Sequence, residues 1–246
     1  MSDRQQTEVK WDLHRPHPGM VFHETLVGEQ ETRSPAVVSN FFVLLGPDYV
    51  GKTSAMKGLM QRLEGKFVSH DDVFLGDDAS LICCLKREFL RRLDMRSTFR
   101  LSEKFLLSLL QPIVAYLREQ VMAAEAGERI IVDGYYYKIL SKCRLLGLVD
   151  DELFASWRRF PRPALVIYLD TNPETTWQRV GTDRLNPFEH YGSEPTRDGF
   201  RMFQRDLANA LLREVDDVPV CRVAADCEPR CVLDEIEITI REWSAR

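Results

Sequence analysis

Along most of this chain the apolar positions fall into two spacings, and each spacing predicts an element. Five short runs, at 40–45 (NFFVLL), 66–70 (KFVSH), 129–134 (RIIVDG), 164–170 (ALVIYLD) and 219–225 (PVCRVAA), read as buried strands. Between them apolar residues recur every three or four positions, as Ala55, Leu59, Met60 and Leu63 do within 52–64. That spacing predicts helices at 52–64, 79–95, 101–125, 135–147, 150–160 and 173–180, then one ending near 215 and a last at 229–243. The third is long and interrupted by Pro112. Residues 1–38 lack sustained periodicity and carry Pro16, Pro18 and Pro35, so they read as an N-terminal extension. Within it only 20–27 (MVFHETLV) suggests a short strand.

Strands alternating with helices over 39–246 predict one α/β domain: a five-stranded parallel sheet with helices on both faces. Such sheets bind ligands at the carboxyl ends of their strands. At 246 residues the chain has room for one such core and little more.

The composition is that of an ordinary globular protein: 44% hydrophobic, 29% charged, with a formal net charge of −5. That charge argues against nucleic acid as a partner, because backbone binding needs a basic surplus. No signal-peptide pattern appears, and no apolar run nears the roughly 18 residues of a membrane span. A cytoplasmic protein with no membrane partner is the expectation. The six cysteines form no CxxC, and Cys227 and Cys231 have no second pair at zinc spacing. Reduced thiols are the simpler reading.

The chemistry starts at 46–53, GPDYVGKT, which matches the phosphate-binding pattern G-x4-G-K-[ST] with a strand before it and a helix after it. A loop of this kind turns backbone N–H groups, and the start of the following helix, toward phosphate oxygens. The expected nucleotide contacts are therefore Gly46, Pro47, Asp48, Tyr49, Val50, Gly51, Lys52, Thr53 and Ser54, with ATP and Mg²⁺ as cofactors. Lys52 would bridge the terminal phosphates, and the Thr53 hydroxyl would bind the metal. An acid must hold that metal too. Asp133, closing IIVD, is preferred over Asp170, closing VIYLD, although each could serve only as a helix cap. The fold class follows as a three-layer P-loop NTPase fold with a lid segment at about 181–196.

Several short motifs, in the same order over 40–243, resemble the thymidylate kinase family of P-loop kinases. GPDYVGKT resembles the family's Gly-x-Asp-x-x-Gly-Lys loop, whose Asp, here Asp48, implies contact with the acceptor sugar. RIIVDGYYYKIL is similar to the strand and turn carrying Asp-Arg-Tyr, and LVIYLDTNPETTWQRV to the Leu-Asp-x-x-Pro-Glu strand and helix. RVGTDRLNPFE resembles the lid and implies phosphate-binding arginines at Arg179 and Arg184. GFRMFQRDL resembles the helix after the lid, and VAADCEPRCVLDEI the late segment that packs the adenine. The departures fall on the acceptor side. Gly134 stands where the family has arginine, LLSLL precedes Pro112 where another is found, and SHDDVF follows the second strand where a third is placed.

A site without those arginines suits a hydroxyl acceptor, which gains from a carboxylate that takes its proton. Asp72, then Asp71, at the end of the second strand, and Asp48 are the candidates, with a capping pair as the plainer reading of 71–72. Tyr135, Tyr136 and Phe74 are candidate walls for a planar acceptor, unless the tyrosines only pack a helix start. Lys138 and Lys142 could replace the missing arginine or lie on a solvated face; the run 85–92 (LKREFLRR) reads as solvated. The expectation is an ATP- and Mg²⁺-dependent kinase acting on a hydroxyl of a nucleoside-like or other small metabolite, with Lys52, Arg179 and Arg184 acting on the phosphoryl group. A nucleoside monophosphate kinase of thymidylate type and a non-catalytic nucleotide-binding module stay open. A homodimer is compatible with the chain.

Overall fold

The structure, a computed structural model, describes residues 36–75, 80–94, 101–180 and 185–245. They lie in the second of two units, Met1–Arg33 and Ser34–Arg246. The strand expected at 20–27 and the site residue Arg184 lie outside the described residues.

Five strands, β1 (Val37–Leu45), β2 (Lys66–Val68), β3 (Ile130–Asp133), β4 (Arg162–Asp170) and β5 (Val220–Ala224), form one sheet in the order β2-β3-β1-β4-β5. Every pairing is parallel, which requires a crossover between neighbours and puts helices on both faces. The strand pleat divides β1 between two cores. Phe41, Val43 and Leu45 enter one and Phe42 and Leu44 the other, and all five are buried. Burying a side chain of this size contributes about 1.5–3 kcal/mol, which is why β1 is central.

Helices α1 (Lys52–Met60) and α8 (Pro229–Ser244) cover the Phe42 face. On the Phe41 face lie α3 (Glu103–Met122), α4 (Tyr135–Leu145), α5 (Asp151–Trp157) and α7 (Arg197–Glu214), with α2 (Ser80–Asp94) packed on α3. The short α6 (Pro173–Arg179) leads from β4 toward α7.

The elements differ from the sequence reading in several places, among them these three. β1 begins at Val37, inside the expected extension. α1 ends at Met60, not at 64. α3 runs through Pro112 without interruption. Proline's fixed φ is compatible with a helix, and the bond it forgoes would have come to the carbonyl of Ser108, an exposed residue that water can reach.

Helix starts separate structural ends from open ones. Ser102, Asp150, Asn172 and Thr196 each accept a backbone N–H into the first turn of α3, α5, α6 and α7. α1, α4 and α8 start instead on Gly51, Gly134 and Glu228, with no side-chain cap. The two glycine starts follow β1 and β3, at the carboxyl edge of the sheet.

Candidate functional site

The turn from β1 to α1 holds the phosphate-loop sequence. Gly46 has φ 147°, and a Cβ there would stand 2.7 Å from the carbonyl oxygen of Leu169, so only glycine fits. Tyr49 takes φ 60° without being glycine, at a cost of about 1–3 kcal/mol. Its hydroxyl donates to Glu189 Oε2 at 2.8 Å and its ring meets Phe200, contacts that hold the residue in that conformation. Lys52 is buried, and its Nζ donates to the carbonyls of Gly46 (3.0 Å) and Pro47 (2.6 Å). Burial, and then the nearby Lys138 ammonium, push the Lys52 pKa well below the usual lysine range. Asp133 and Asp48 oppose that shift without cancelling it.

Parallel pairing sets Asp133 of β3 opposite Leu44, one strand from the loop. Asp133 is buried; Ser69 Oγ donates to its Oδ2 at 3.3 Å, while Oδ1 has no partner. Asp170, the other candidate, is exposed and lies near Arg222, off the cavity wall.

Asp48 is the most heavily bonded group of the site. Lys138 Nζ lies 2.8 Å from its Oδ1, and Lys142 Nζ 2.9 Å from its Oδ2. Gln204 from α7 donates to Oδ2 at 3.1 Å and accepts the Asp48 backbone N–H at 2.8 Å. The same Gln204 amide donates to the carbonyl of Glu189. Burial alone would raise the Asp48 pKa, but Lys138, Lys142 and Lys52 hold its carboxyl far below the usual carboxylate range. Lys138 moves the opposite way: burial would lower its pKa, and Asp48 and Asp133 raise it.

These groups open on a cavity of about 590 Å³. Asp48, Tyr49, Gly51, Lys52, Thr53 and Ser54 line its loop side, together with Asp133 and Arg179. Arg179 also donates to the carbonyl of Ala225 at 2.9 Å. Gly46, Pro47 and Val50 belong to the loop but not to the wall.

At the end of β2 the expected order of the aspartates is reversed. Asp71 reaches the wall, with Oδ1 accepting from Val73 N. Asp72 does not; it is exposed and paired with Lys86 at 2.7 Å, which lowers its pKa. Tyr135, Tyr136 and Phe74 are also off the wall. The two tyrosines pack edge-on or tilted against Tyr137 and Phe160 in the core, where burial pushes their pKa values above the usual tyrosine range, and Phe74 packs on the opposite face of the sheet. Gly134 has φ 70°, and a Cβ there would lie 3.2 Å from Cβ of Lys138, so the lysine stem occupies the space an arginine at 134 would need.

The sequence reading missed several wall residues. His70 reaches the cavity with Nδ1 buried and unpartnered, and burial lowers its pKa to about 4. Phe188 and Glu189 arrive from the 185–196 segment, and Lys86, Phe89 and Leu90 come from the run read as solvated. An i, i+3, i+4 stripe at 86, 89 and 90 was the available signal.

No family model matches the chain, and no curated protein does. Solved structures do match. A deoxyadenosine kinase from M. mycoides with bound dATP is 14% identical with TM-score 0.54, covering 82% of this chain and 99% of its own. The same enzyme with dCMP and dCDP gives 0.56. A thymidylate kinase from Candida albicans is 16% identical with TM-score 0.54, covering 82% of this chain and 91% of its own. What is shared with them is the fold, a five-stranded parallel sheet with helices on both faces. At such identities the likeness is one of fold, and what the site does rests on its own side chains.

Proposed function

We propose that the protein is a phosphotransferase that moves the γ-phosphoryl of ATP, with Mg²⁺, to a hydroxyl of a nucleoside-like or other small metabolite. One juxtaposition carries this reading: a single cavity holds Lys52 on a phosphate-type loop and, from the adjacent strand, Asp133 with a buried carboxylate oxygen that has no partner. An orphaned buried oxygen is costly, and a cation or its water shell would satisfy it. Thr53 and Asp133 are therefore the residues that would hold Mg²⁺. The uncapped first turn of α1 would receive phosphate oxygens. When bound, Mg²⁺ supplies charge neutralisation at the phosphates.

The chain's own residues do the rest. Lys52, already turned toward the loop carbonyls, is positioned to meet the charge on the transferring group, with Lys138 beside it. Asp71, which lines the cavity, would take the acceptor proton while the acceptor oxygen bonds to phosphorus and ADP leaves. Asp48 is saturated by two ammonium groups and an amide, and so positions Lys138 and Lys142 instead of acting as a base. The neighbouring structures of a deoxyadenosine kinase and a thymidylate kinase support a kinase-type reading. ADP release from Mg·ATP, measured with and without a panel of nucleosides and nucleoside monophosphates, tests it. Acceptor-dependent ADP is expected, and absence of nucleotide binding sinks the reading.

A further inference from the structure

The two carboxylates given work in the proposed transfer, Asp133 and Asp71, lie at the ends of neighbouring strands, and one buried hydroxyl stands between them. β2 and β3 run parallel with Val68 beside Val132, so the residues that follow, Ser69 and Asp133, come level at the carboxyl edge of the sheet. Ser69 is 1% exposed and does not reach the cavity wall. Its hydroxyl donates to Asp133 Oδ2 at 3.3 Å, and the same oxygen accepts the backbone N–H of Asp71 at 3.0 Å. A hydroxyl can give one hydrogen bond and take another at once, so both contacts are satisfied by a single small group.

Each bond fixes something the chemistry uses. With Oδ2 held by Ser69, Asp133 keeps Oδ1 buried and unpartnered, the oxygen that a cation or its water shell would satisfy. A carboxylate anchored through one oxygen presents the other in one orientation, and losing such an anchor weakens metal binding. On the other side, the Ser69 bond begins a tight turn. It continues with Val73 N–H donating to Asp71 Oδ1 at 3.2 Å and Phe74 N–H donating to the Asp71 carbonyl at 2.9 Å. Lys86 of α2 clamps the turn from outside, donating to the carbonyl of His70 and pairing with Asp72. A serine that only capped this turn would need the bond from Asp71 alone. The second bond, to a carboxylate 64 positions away, is what a cap does not require.

Building on the phosphotransfer reading above, we infer that Ser69 is a positioning residue for that reaction, a single hydroxyl that sets the carboxylate of Asp133 and the backbone of Asp71 in a fixed relation. It acts through these two residues and not on nucleotide or acceptor directly. The two acids are thereby held in place before either ligand arrives, so that less ordering is left to be done on binding.

Ser69→Ala tests this in the full chain, by calorimetric titration of a non-hydrolysable ATP analogue with and without Mg²⁺. Wild type should bind the analogue more tightly when Mg²⁺ is present. In Ser69→Ala the metal-free affinity should stay within about twofold of wild type, while the gain on adding Mg²⁺ falls by about tenfold or vanishes, the usual cost of freeing a metal-holding side chain. A full Mg²⁺ gain in Ser69→Ala, whatever its melting temperature, overturns the inference and leaves Ser69 as a turn cap. The Asp71 half has its own readout: exchange of the Asp71 amide, followed by NMR, should speed up by about two- to tenfold, the value of one hydrogen bond. Unchanged exchange there overturns the link to Asp71. If Ser69→Ala does not fold, Ser69→Cys takes its place, since a thiol of nearly the same shape is a weaker donor and acceptor, and an undiminished Mg²⁺ gain in it counts equally against the inference. Wild type that binds the analogue equally well with and without Mg²⁺ overturns the role given to Asp133 and this inference together. Wild type that binds no analogue at all brings down the phosphotransfer reading itself.

Discussion

Replacing Asp48 by Asn would test whether this carboxylate anchors a buried lysine pair or serves the acceptor directly. Asp48 is 7% exposed, and Lys138 and Lys142 are 13% and 8% exposed at 2.8 and 2.9 Å from its two oxygens. An amide of the same shape could accept from one ammonium, but its NH₂ would face the other, leaving a buried charge unpaired. Removing one partner of a buried pair typically costs about 3–5 kcal/mol. In a domain of this size that lowers Tm by about 6–20 °C.

The pH dependence has a definite sign. Asp48 has a folded pKa below its unfolded value, so its contribution is full above about pH 4 and is lost as pH falls toward the folded value. Lys138 has a folded pKa above its unfolded value, so its contribution is full below about pH 10 and is lost as pH rises past that. The gap in Tm between wild type and Asp48→Asn should therefore be flat from about pH 5 to about pH 9 and close on both sides. Scanning calorimetry over a pH series measures it. A deficit under about 2 °C, the range of an ordinary surface change, would mean that the lysines do not depend on Asp48.

Lys52→Ala should lower turnover by about a hundredfold or more with little change in the far-UV spectrum, since the side chain acts on charge; near-normal turnover would remove the loop from the mechanism. In single-turnover assays, Asp71→Asn should slow transfer by about a hundredfold, while Asp72→Asn, which loses only an exposed pair with Lys86, should stay within about twofold. The reverse ranking would restore Asp72 as the base. His70 has a folded pKa near 4 against 6.5 unfolded, so the unfolded chain binds the extra proton between those values and stability falls as pH drops through that window. Urea melts of wild type and His70→Gln should diverge there by up to about 1.4 kcal/mol per pH unit, and parallel curves would show the imidazole to be freely solvated.

The strands and the loop were legible because local order is written in local spacing. Phe41 and Phe42 point to opposite cores because a strand alternates, and G-x4-G-K-T between a strand and a helix has few other uses. The acceptor side was harder, for identifiable reasons. Three consecutive tyrosines span most of a helix circumference, so whether one faces a ligand depends on how far the helix is enclosed. α4 is enclosed nearly all round, with Ser141, Lys142 and Cys143 buried as well. In α2 the charges mislead in the other direction: Arg87 and Arg91 are exposed, while Lys86, Phe89 and Leu90, on the intervening face, reach the cavity. The bonds that occupy the Asp48 carboxylate come from far along the chain, Gln204 being 156 positions away. No local window contains them.

Those long-range bonds also connect the two halves of the site. Asp48 sits in the phosphate loop, its two lysines rise from α4, and its amide partner comes from α7 and also holds the carbonyl of Glu189. Glu189 in turn takes the hydroxyl of Tyr49, the loop residue held at positive φ. The loop, the start of α4 and the segment at 185–191 therefore form one bonded circuit around a single carboxylate. A substitution that rebuilds the acceptor side must keep Lys138 and Lys142 in reach of Asp48, or it will disturb the phosphate loop as well. This gives a physical reason for Gly134: it leaves room for the Lys138 stem, and the lysine reaches Asp48 from one turn further along α4.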